Sequence, residues 1–138
     1  MMPDAIQISD EHYAQMESHV VAEAPLEACG LLAGEGKASR AAYPIRNQAQ
    51  SATRFLMDAS QQVAAFVEIE EQGWELLAIY HSHPAGPSGP SQTDLAEALY
   101  PDTFQLIWSR ATSGAWQCRA YNYEEGMARE IGIKLGQE

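Results

Sequence analysis

The hydrophobic pattern of the chain switches several times between the period of an α-helix and that of a β-strand. A first helix is predicted over 10–24, with Asp10 as its N-cap. A second helix is predicted over 58–72, opened by Asp58. The residues whose spacing indicates the two helices are Tyr13, Met16, Val20 and Ala24 in the first, and Val63, Phe66, Val67 and Glu70 in the second.

Strand-like runs occupy much of the remaining chain. The run 74–80 (WELLAIY) is almost continuously apolar, which is typical of a strand buried on both faces. Strands and helices alternate, and this order predicts the α/β class, as a mixed β-sheet flanked by helices. The other strands are predicted at 5–8, 28–34, 38–45, 103–108, 116–123 and 128–135.

Composition narrows the classes of function. The chain has 138 residues and a net charge of -11, so we expect a single domain that binds neither nucleic acid nor anionic membranes. Apolar runs are too short for a membrane span. The first basic residue is Lys37, so the N-terminus lacks the positive region of a signal peptide. The two cysteines, Cys29 and Cys118, favour a reducing cytoplasm.

Positive charge is concentrated in one stretch. Residues 36–57 contain no acidic residue and hold Lys37, Arg40, Arg46 and Arg54. Two interpretations remain open from the sequence. The stretch is either a solvated strand edge or a docking strip for an acidic protein partner.

The histidines fall into two groups. His12 and His19 lie among polar neighbours on the first helix, and we expect both at the surface. His81 and His83 follow the apolar run 74–80 at positions i and i+2, so in an extended backbone their imidazoles project from the same side. Two imidazole nitrogens on one face suit zinc, although His-x-His alone is weak evidence.

A carboxylate that could complete a metal site follows a proline-rich loop. The run Ser91-Gln92-Thr93-Asp94 has the spacing of a capping box and predicts the start of a third helix. Asp94 is then either a third metal ligand or a favourable charge at a helix N-terminus, and it can be both. Two histidines and one carboxylate leave a fourth tetrahedral position open, which is the mark of a catalytic zinc site.

These residues together resemble the signature of the JAMM (MPN+) metalloproteases. The pattern is His81-Ser82-His83, seven residues, Ser91, two residues and Asp94, preceded upstream by a segment with Glu27 in PLEACGLLAG (25–34). The segment that contains Asn47, Phe55, Met57 and Asp58 also resembles the compact bacterial branch of that family. The resemblance covers about residues 5–135, and other metal or nucleophile motifs, such as H-E-x-x-H and G-x-S-x-G, are absent from the sequence.

The resemblance implies a role for each residue. His81, His83 and Asp94 would hold Zn²⁺, and Glu27 would be the general acid/base, its pKa raised by weakly polar neighbours. Ser91 would support the oxyanion, although its position alone indicates a helix N-cap. Outside that set, Ser82 should point away from the ligands, and Cys29 is expected to be a small buried residue.

The resemblance also implies a function. The family cleaves peptide or isopeptide bonds after the C-terminal Gly-Gly of ubiquitin-like proteins, and compact bacterial members are linked to sulfur-carrier proteins. A free strand edge beside the site would let such a tail pair as an added strand. Two alternatives are a non-catalytic protein-interaction module and a hydrolase of small peptides or amino-acid conjugates. The sequence leaves open which carrier is cut and whether the chain forms a homodimer.

Overall fold

The computed structural model describes residues 5–91, 94–95, 103–124 and 126–136. The predicted strands and the first two helices are all present, with bounds that differ by a few residues at most. Asp94 and Leu95 are helical, as expected for the third helix, while 96–102 lie outside the described residues. In chain order the elements are β1 (Ala5–Ile8), α1 (Asp10–Glu23), β2 (Cys29–Glu35), β3 (Ala38–Ile45), α2 (Ala59–Glu71), β4 (Glu75–His83), β5 (Phe104–Arg110), β6 (Trp116–Glu124) and β7 (Met127–Leu135).

The strands form one mixed sheet that closes on itself as a barrel, in the order β1-β3-β2-β4-β5-β6-β7. Closure comes from parallel pairing of β1 with β7, beginning at Ala5 opposite Gly132. The register joins β1 to β3 at a single pair, Gln7 opposite Ala38. The predicted α/β class and mixed sheet are therefore confirmed. Closure was not predicted, because it joins segments from the two ends of the described chain, which local periodicity does not relate.

Helix α1 covers one face of the sheet. Met16 and Val20 are fully buried there, as their spacing predicts, and they belong to the largest core cluster of the described residues. The Tyr13 ring packs against the ring of Trp108 on β5, with centroids 4.7 Å apart. Burial of this apolar stripe, rather than the intrinsic helix propensity of the segment, holds α1 in place.

The start of α1 differs from the prediction by one residue. Its N-cap is Ser9, whose side-chain oxygen accepts a hydrogen bond from the His12 amide at 3.1 Å. Asp10, the predicted cap, is instead the first helical residue, where its carboxylate favours the positive end of the helix dipole. Both residue types are good caps, so the sequence alone could not decide between adjacent positions.

The prediction that His12 and His19 are plain surface residues is wrong. Both are half-buried, and each imidazole is tied to the sheet by its Nδ1. His12 pairs with the Ser39 hydroxyl and His19 with the Tyr80 hydroxyl, each at 2.7 Å. Their polar helical neighbours concealed these partners, which come from distant parts of the chain.

Helix α2 covers part of the other face of the sheet, with Asp58 as its N-cap as predicted. Its buried residues are Ala65 and Ile69, whereas Val63 and Val67 are 61% and 49% exposed. The apolar spacing therefore predicted the helix correctly but did not identify its buried face. Within the described residues, neither helix is long and apolar enough to cross a membrane.

Strand β4 carries the two histidines into the middle of the sheet. It pairs antiparallel with β2 and parallel with β5, and it continues through His83 rather than ending at residue 80. At His81 β4 pairs with strands on both sides, whereas His83 pairs with Ser109 of β5 and lies beyond the paired residues of β2. Among the described strands, the sparsely paired edge belongs to β3, which meets β1 at Ala38 alone.

The basic residues of 36–57 do not form one strip. Lys37 precedes β3 and Arg46 follows it, so the strand separates them by about 30 Å at the usual rise per residue. Lys37 lies over the Phe104 ring, and Arg40 pairs with Glu35 at 2.9 Å. This arrangement favours the interpretation of a solvated strand edge.

Candidate metal centre

Both histidines of β4 project to the same face of the sheet, as the i, i+2 spacing predicts. His81 and His83 are 1% and 4% exposed, and their Nε2 atoms lie 3.1 Å apart. The register places His81 between Cys29 of β2 and Ile107 of β5. Pairing with β5 fixes the backbone at both histidines, and pairing with β2 adds to this at His81.

Asp94 reaches the histidines from the turn that follows the proline-rich loop. Its Oδ1 lies 3.2 Å from His81 Nε2, and its Oδ2 lies 3.1 Å from His83 Nε2. The turn is closed by a reciprocal pair of bonds, in which Ser91 N donates to Asp94 Oδ2 at 2.9 Å and Asp94 N donates to Ser91 Oγ at 3.0 Å. This is the predicted capping box, and it aims the Asp94 carboxylate at the imidazoles.

The spacing of the three donor groups fits a zinc ion. Four ligands at zinc–nitrogen and zinc–oxygen bond lengths are separated from one another by about 3.3–3.4 Å. The two Nε2 atoms are 3.1 Å apart, and each lies 3.1–3.2 Å from one of the two Asp94 oxygens, close to that value. Carboxylate oxygen and imidazole nitrogen are also donors that zinc accepts.

The tautomer of His83 suits a metal ligand. Its Nδ1 lies 2.8 Å from the carbonyl oxygen of Pro87, and a carbonyl can only accept. Nδ1 therefore carries the proton, and Nε2 of the neutral ring presents its lone pair to the site. A backbone carbonyl behind the ring is a common support of metal-binding histidines. The constrained loop after β4 thus orients the side chain that precedes it.

His81 is held differently. The Phe55 ring stacks on its imidazole, with centroids 4.6 Å apart and an interplanar angle of 27°. Its Nδ1 is buried and has no hydrogen-bond partner among the described residues. Aromatic packing, rather than a hydrogen bond to Nδ1, therefore sets the orientation of this ring.

Glu27 lies at the edge of the same cluster, just before β2. It is 2% exposed, and one of its carboxylate oxygens is within 4.8 Å of the nitrogens of His81 and His83. Its Oε1 is buried without a hydrogen-bond partner in the described part of the chain. Glu27 and Asp94 are thus two acidic candidates for a third ligand, and the direct contacts of Asp94 with both imidazoles favour Asp94.

The pKa values of Glu27 and Asp94 are shifted in opposite directions. Burial raises the pKa of Glu27 to about 7; His83 opposes this rise and Asp94 adds to it. For Asp94, burial acts in the same direction but is outweighed by hydrogen bonds from His81 and His83, which hold its pKa well below the ordinary range. One acid therefore stays ionised while the other can hold a proton near neutral pH, a division typical of catalytic sites.

The histidines also differ from each other. Burial lowers the pKa of His81, and Asp94 opposes this only in part. For His83 the hydrogen bonds with Asp94 and Pro87 outweigh burial, and its pKa is raised. The raised pKa favours protonation of His83 beside the ionised Asp94 carboxylate when no cation is bound. A divalent cation would replace that proton, since a metal-bound imidazole must be neutral.

The remaining site predictions can be compared with these positions. Ser82 points to the opposite face, as predicted, and its Oγ accepts from the Ala28 amide at 2.8 Å. Cys29 is fully buried, and burial raises its pKa to about 12, which agrees with a small apolar role. Phe55 and Asn47 also contact the site, Phe55 by stacking on His81 and Asn47 by a hydrogen bond to the Glu27 carbonyl. The sequence analysis assigns neither residue a role. The signal available in the sequence was a buried-type aromatic residue inside a polar segment.

The chain belongs to a known family. A model of the prokaryotic homologs of the JAB domain matches residues 9–119, so the family predicted from the resemblance is confirmed. It is the family of the JAMM signature, and the α/β fold agrees with it.

Two similar proteins are named as a peptidase and a desampylase. The chain is 31% identical over 122 residues to the CysO-cysteine peptidase of Mycobacterium tuberculosis, covering 87% of this chain and 84% of the relative. It is 35% identical over 110 residues to a desampylase of Pyrococcus furiosus, covering 79% of each chain. The solution structure of protein DSY2949 from Desulfitobacterium hafniense is similar, with a TM-score of 0.85, 33% identity and coverage of 96% of this chain and 94% of that chain.

Proposed function

We propose that this chain is a zinc-dependent peptidase that cleaves the peptide or isopeptide bond after the C-terminal Gly-Gly of a ubiquitin-like or sulfur-carrier protein. The observation that carries the proposal is the convergence of the two imidazole Nε2 atoms, 3.1 Å apart, on the Asp94 carboxylate, whose Oδ1 lies 3.2 Å from His81 and whose Oδ2 lies 3.1 Å from His83, beside the unpartnered Oε1 of Glu27. The names of the relatives support the substrate class.

In this proposal His81, His83 and Asp94 hold the zinc ion. When bound, the ion supplies Lewis acidity, polarising the scissile carbonyl and making a water molecule more acidic. Asp94 would bind the ion as a carboxylate, since a metal-binding carboxyl group must be deprotonated. The Pro87 carbonyl holds His83 in the required tautomer, and Phe55 holds the His81 ring.

Glu27 is the proposed general acid/base. It accepts a proton from the attacking water and then donates that proton to the departing amine. A pKa of about 7 suits both steps, because the group exists in both protonation states near neutral pH. Its unpartnered, buried Oε1 is free to make the bond to water that the proton transfer needs.

Ser91 is the proposed oxyanion support. Its Oγ accepts a hydrogen bond from the Asp94 amide, and that bond does not use the hydroxyl hydrogen. The hydroxyl can therefore still donate to developing negative charge on the carbonyl oxygen. The N-cap role and the oxyanion role are compatible.

Glycine suits the entry to this site. The side chains of Glu27, His81 and His83 are each at least 96% buried, so a scissile bond must approach through limited space. A Gly-Gly tail brings no side chains into that space and adopts extended conformations at no steric cost.

Both cysteines are free. Free thiols fit the cytoplasm, where we propose that the reaction takes place.

The test uses a purified ubiquitin-fold carrier extended beyond its Gly-Gly by a short peptide, followed by mass spectrometry. We expect zinc-dependent loss of the extension directly after the second glycine, and no cleavage when Gly-Gly is replaced by Ala-Ala. Unchanged substrate mass with one zinc bound per chain would contradict the proposal. Cleavage of short peptides that lack Gly-Gly, at equal kcat/KM, would favour the small-peptide hydrolase instead.

The variant Glu27→Gln separates an enzyme from an interaction module. It keeps the shape of the side chain and removes the proton acceptor, so kcat should fall by about 10²–10⁴-fold. Zinc content should stay at the wild-type level. Carrier binding without turnover in both proteins would identify a non-catalytic module.

A further inference from the structure

A loop that follows β3 contacts two residues of the candidate site, Glu27 and His81. This segment, residues 47–57, is called the Asn47 loop. An isolated antiparallel bridge between Asn47 and Met57 closes it at its base. Next to that bridge, the Gln48 amide donates to the Leu56 carbonyl at 2.7 Å.

The side chain of Asn47 uses its full hydrogen-bonding capacity. Its Nδ2 donates to the carbonyl of Glu27 at 3.0 Å and to the carbonyl of Arg54 at 3.1 Å. Its Oδ1 accepts from the amides of Ala49 and Leu56, each at 3.0 Å. Both partners of Nδ2 are carbonyls and both partners of Oδ1 are amides, so only one orientation of this amide group satisfies all four bonds.

The loop holds the backbone of Glu27 at two points. The Glu27 amide donates to the Ser51 carbonyl at 2.8 Å, and the Glu27 carbonyl accepts from Asn47. Glu27 precedes β2, so the sheet ladder does not hold it. Its backbone is positioned by the Asn47 loop on one side and by the bond from Ala28 to Ser82 on the other.

The same loop supports one of the histidines. Phe55 lies between Arg54 and Leu56, the two loop residues whose backbone groups bond to the Asn47 amide. Its ring stacks on His81, whose Nδ1 has no described partner. The loop therefore touches the proposed general base through its backbone and one proposed metal ligand through an aromatic side chain.

We infer that Asn47 is a positioning residue: through the Asn47 loop it sets the relative placement of the Glu27 carboxylate and the His81 imidazole. The inference rests on the proposed function for its catalytic consequence. Its structural content does not depend on that function. A misplacement of about 1 Å in a catalytic group can reduce turnover 100-fold, so a loop that holds both groups has a large effect on rate.

The first variant is Asn47→Asp, which is isosteric. It keeps the acceptor for Ala49 and Leu56 but places an oxygen against the carbonyls of Glu27 and Arg54. We expect kcat for the Gly-Gly-extended carrier to fall about 100-fold while KM stays within threefold. Amide hydrogen exchange of Glu27, followed by NMR on the metal-free protein, should accelerate at least tenfold.

A second pair of variants shortens a buried asparagine at two places. Asn47→Ser loses the reach of the amide group in the loop. Asn122→Ser changes another buried asparagine, which lies on the opposite face of the sheet with Tyr80 and Ala120 and whose Nδ2 has no hydrogen-bond partner among the described residues. We expect Asn47→Ser to lower zinc affinity about tenfold, measured against a chromophoric chelator, because the support of His81 loosens. Asn122→Ser should keep wild-type zinc affinity, kcat and Glu27 exchange, even at a lower melting temperature.

The readouts separate the two hypotheses. If the wild type does not cleave the carrier, the proposed function fails, and Glu27 exchange and zinc affinity still test the role of Asn47. Wild-type kcat, exchange and zinc affinity in folded Asn47→Ser would overturn the inference. Equal losses in Asn47→Ser and Asn122→Ser would also overturn it, because they would indicate general destabilisation.

Discussion

The two faces of β4 near its carboxyl end are both buried, but their polar groups are satisfied in different ways. On the face toward α1, the Tyr80 hydroxyl pairs with His19 at 2.7 Å and the Ser82 hydroxyl with the Ala28 amide at 2.8 Å. On the opposite face, the Nε2 atoms of His81 and His83 and the Asp94 carboxylate crowd within 3.1–3.2 Å of one another.

The difference separates the face toward α1, called the α1 face, from the face that carries His81 and His83, called the candidate metal face. The α1 face gives each of these hydroxyls one partner and surrounds them with apolar core, an arrangement that favours stability. Both faces bury polar atoms without described partners, namely Trp108 Nε1 and Asn122 Nδ2 on the α1 face and Glu27 Oε1 and His81 Nδ1 on the candidate metal face. On the candidate metal face these atoms belong to ionisable side chains, and burial raises the pKa of Glu27 to about 7. Such an arrangement costs folding free energy and is retained where chemistry needs it.

The largest effect is expected from removing a proposed metal ligand on the candidate metal face. Asp94→Ala deletes the only ionised ligand of the proposed set, so zinc binding and carrier cleavage should both fall to background. Zinc content by atomic absorption and a cleavage assay check this. Since Asp94 also receives a hydrogen bond from Ser91, Asp94→Asn serves as a control that keeps the shape of the side chain. Cleavage at the wild-type rate by either variant would contradict the proposed role of Asp94 and the contrast between the two faces.

A second prediction concerns the pH dependence of stability in the metal-free protein. The pKa of Glu27 is about 7 in the folded chain and 4.5 in the unfolded chain. Between these values the unfolded chain releases a proton that the folded chain retains, so the contribution of Glu27 to stability is greatest below pH 4.5 and is lost as pH rises through 7. The loss is about 3 kcal/mol.

The variant Glu27→Gln isolates this contribution, because glutamine does not titrate. Urea unfolding at pH 5 and pH 8 should show that the variant gains stability relative to the wild type by up to about 3 kcal/mol over that interval. A difference between the two proteins that does not change with pH would show that Glu27 is not perturbed by burial.

The smallest effect is expected on the α1 face. Ser82→Ala leaves the buried Ala28 amide without its acceptor, which should lower the free energy of unfolding by about 1–3 kcal/mol. Zinc affinity should change little, because the side chain points away from the imidazoles. Urea unfolding and chelator competition measure the two quantities. A loss of zinc affinity larger than the loss of stability would show that the faces are not independent.

The sequence predicted most of the fold because the evidence is local. Period-two spacing places His81 and His83 on one face of a strand, whatever the rest of the chain does. Capping-box spacing likewise predicted the bonds between Ser91 and Asp94. The buried face of α2 was missed because Val63 and Val67 are as apolar as Ala65 and Ile69, so the pattern does not separate the two sides.

Other features depend on contacts between distant segments. The backbone of Glu27 is supported by Asn47, which lies in an irregular loop. Such a loop has no hydrophobic periodicity from which this contact could be predicted. Barrel closure and the pairing of His19 with Tyr80 likewise join residues far apart in sequence. The position of Glu27 itself was predicted from the family resemblance, since its residue type and location alone indicate a solvated loop.

The most direct test of the metal centre is X-ray diffraction at the zinc absorption edge from crystals of the zinc-loaded protein. The account predicts one anomalous peak per chain, about 2.0–2.2 Å from Nε2 of His81, Nε2 of His83 and a carboxylate oxygen of Asp94, with Glu27 nearby but not bonded. A peak bonded to Glu27 in place of Asp94, or stoichiometric zinc bound away from both histidines, would contradict it.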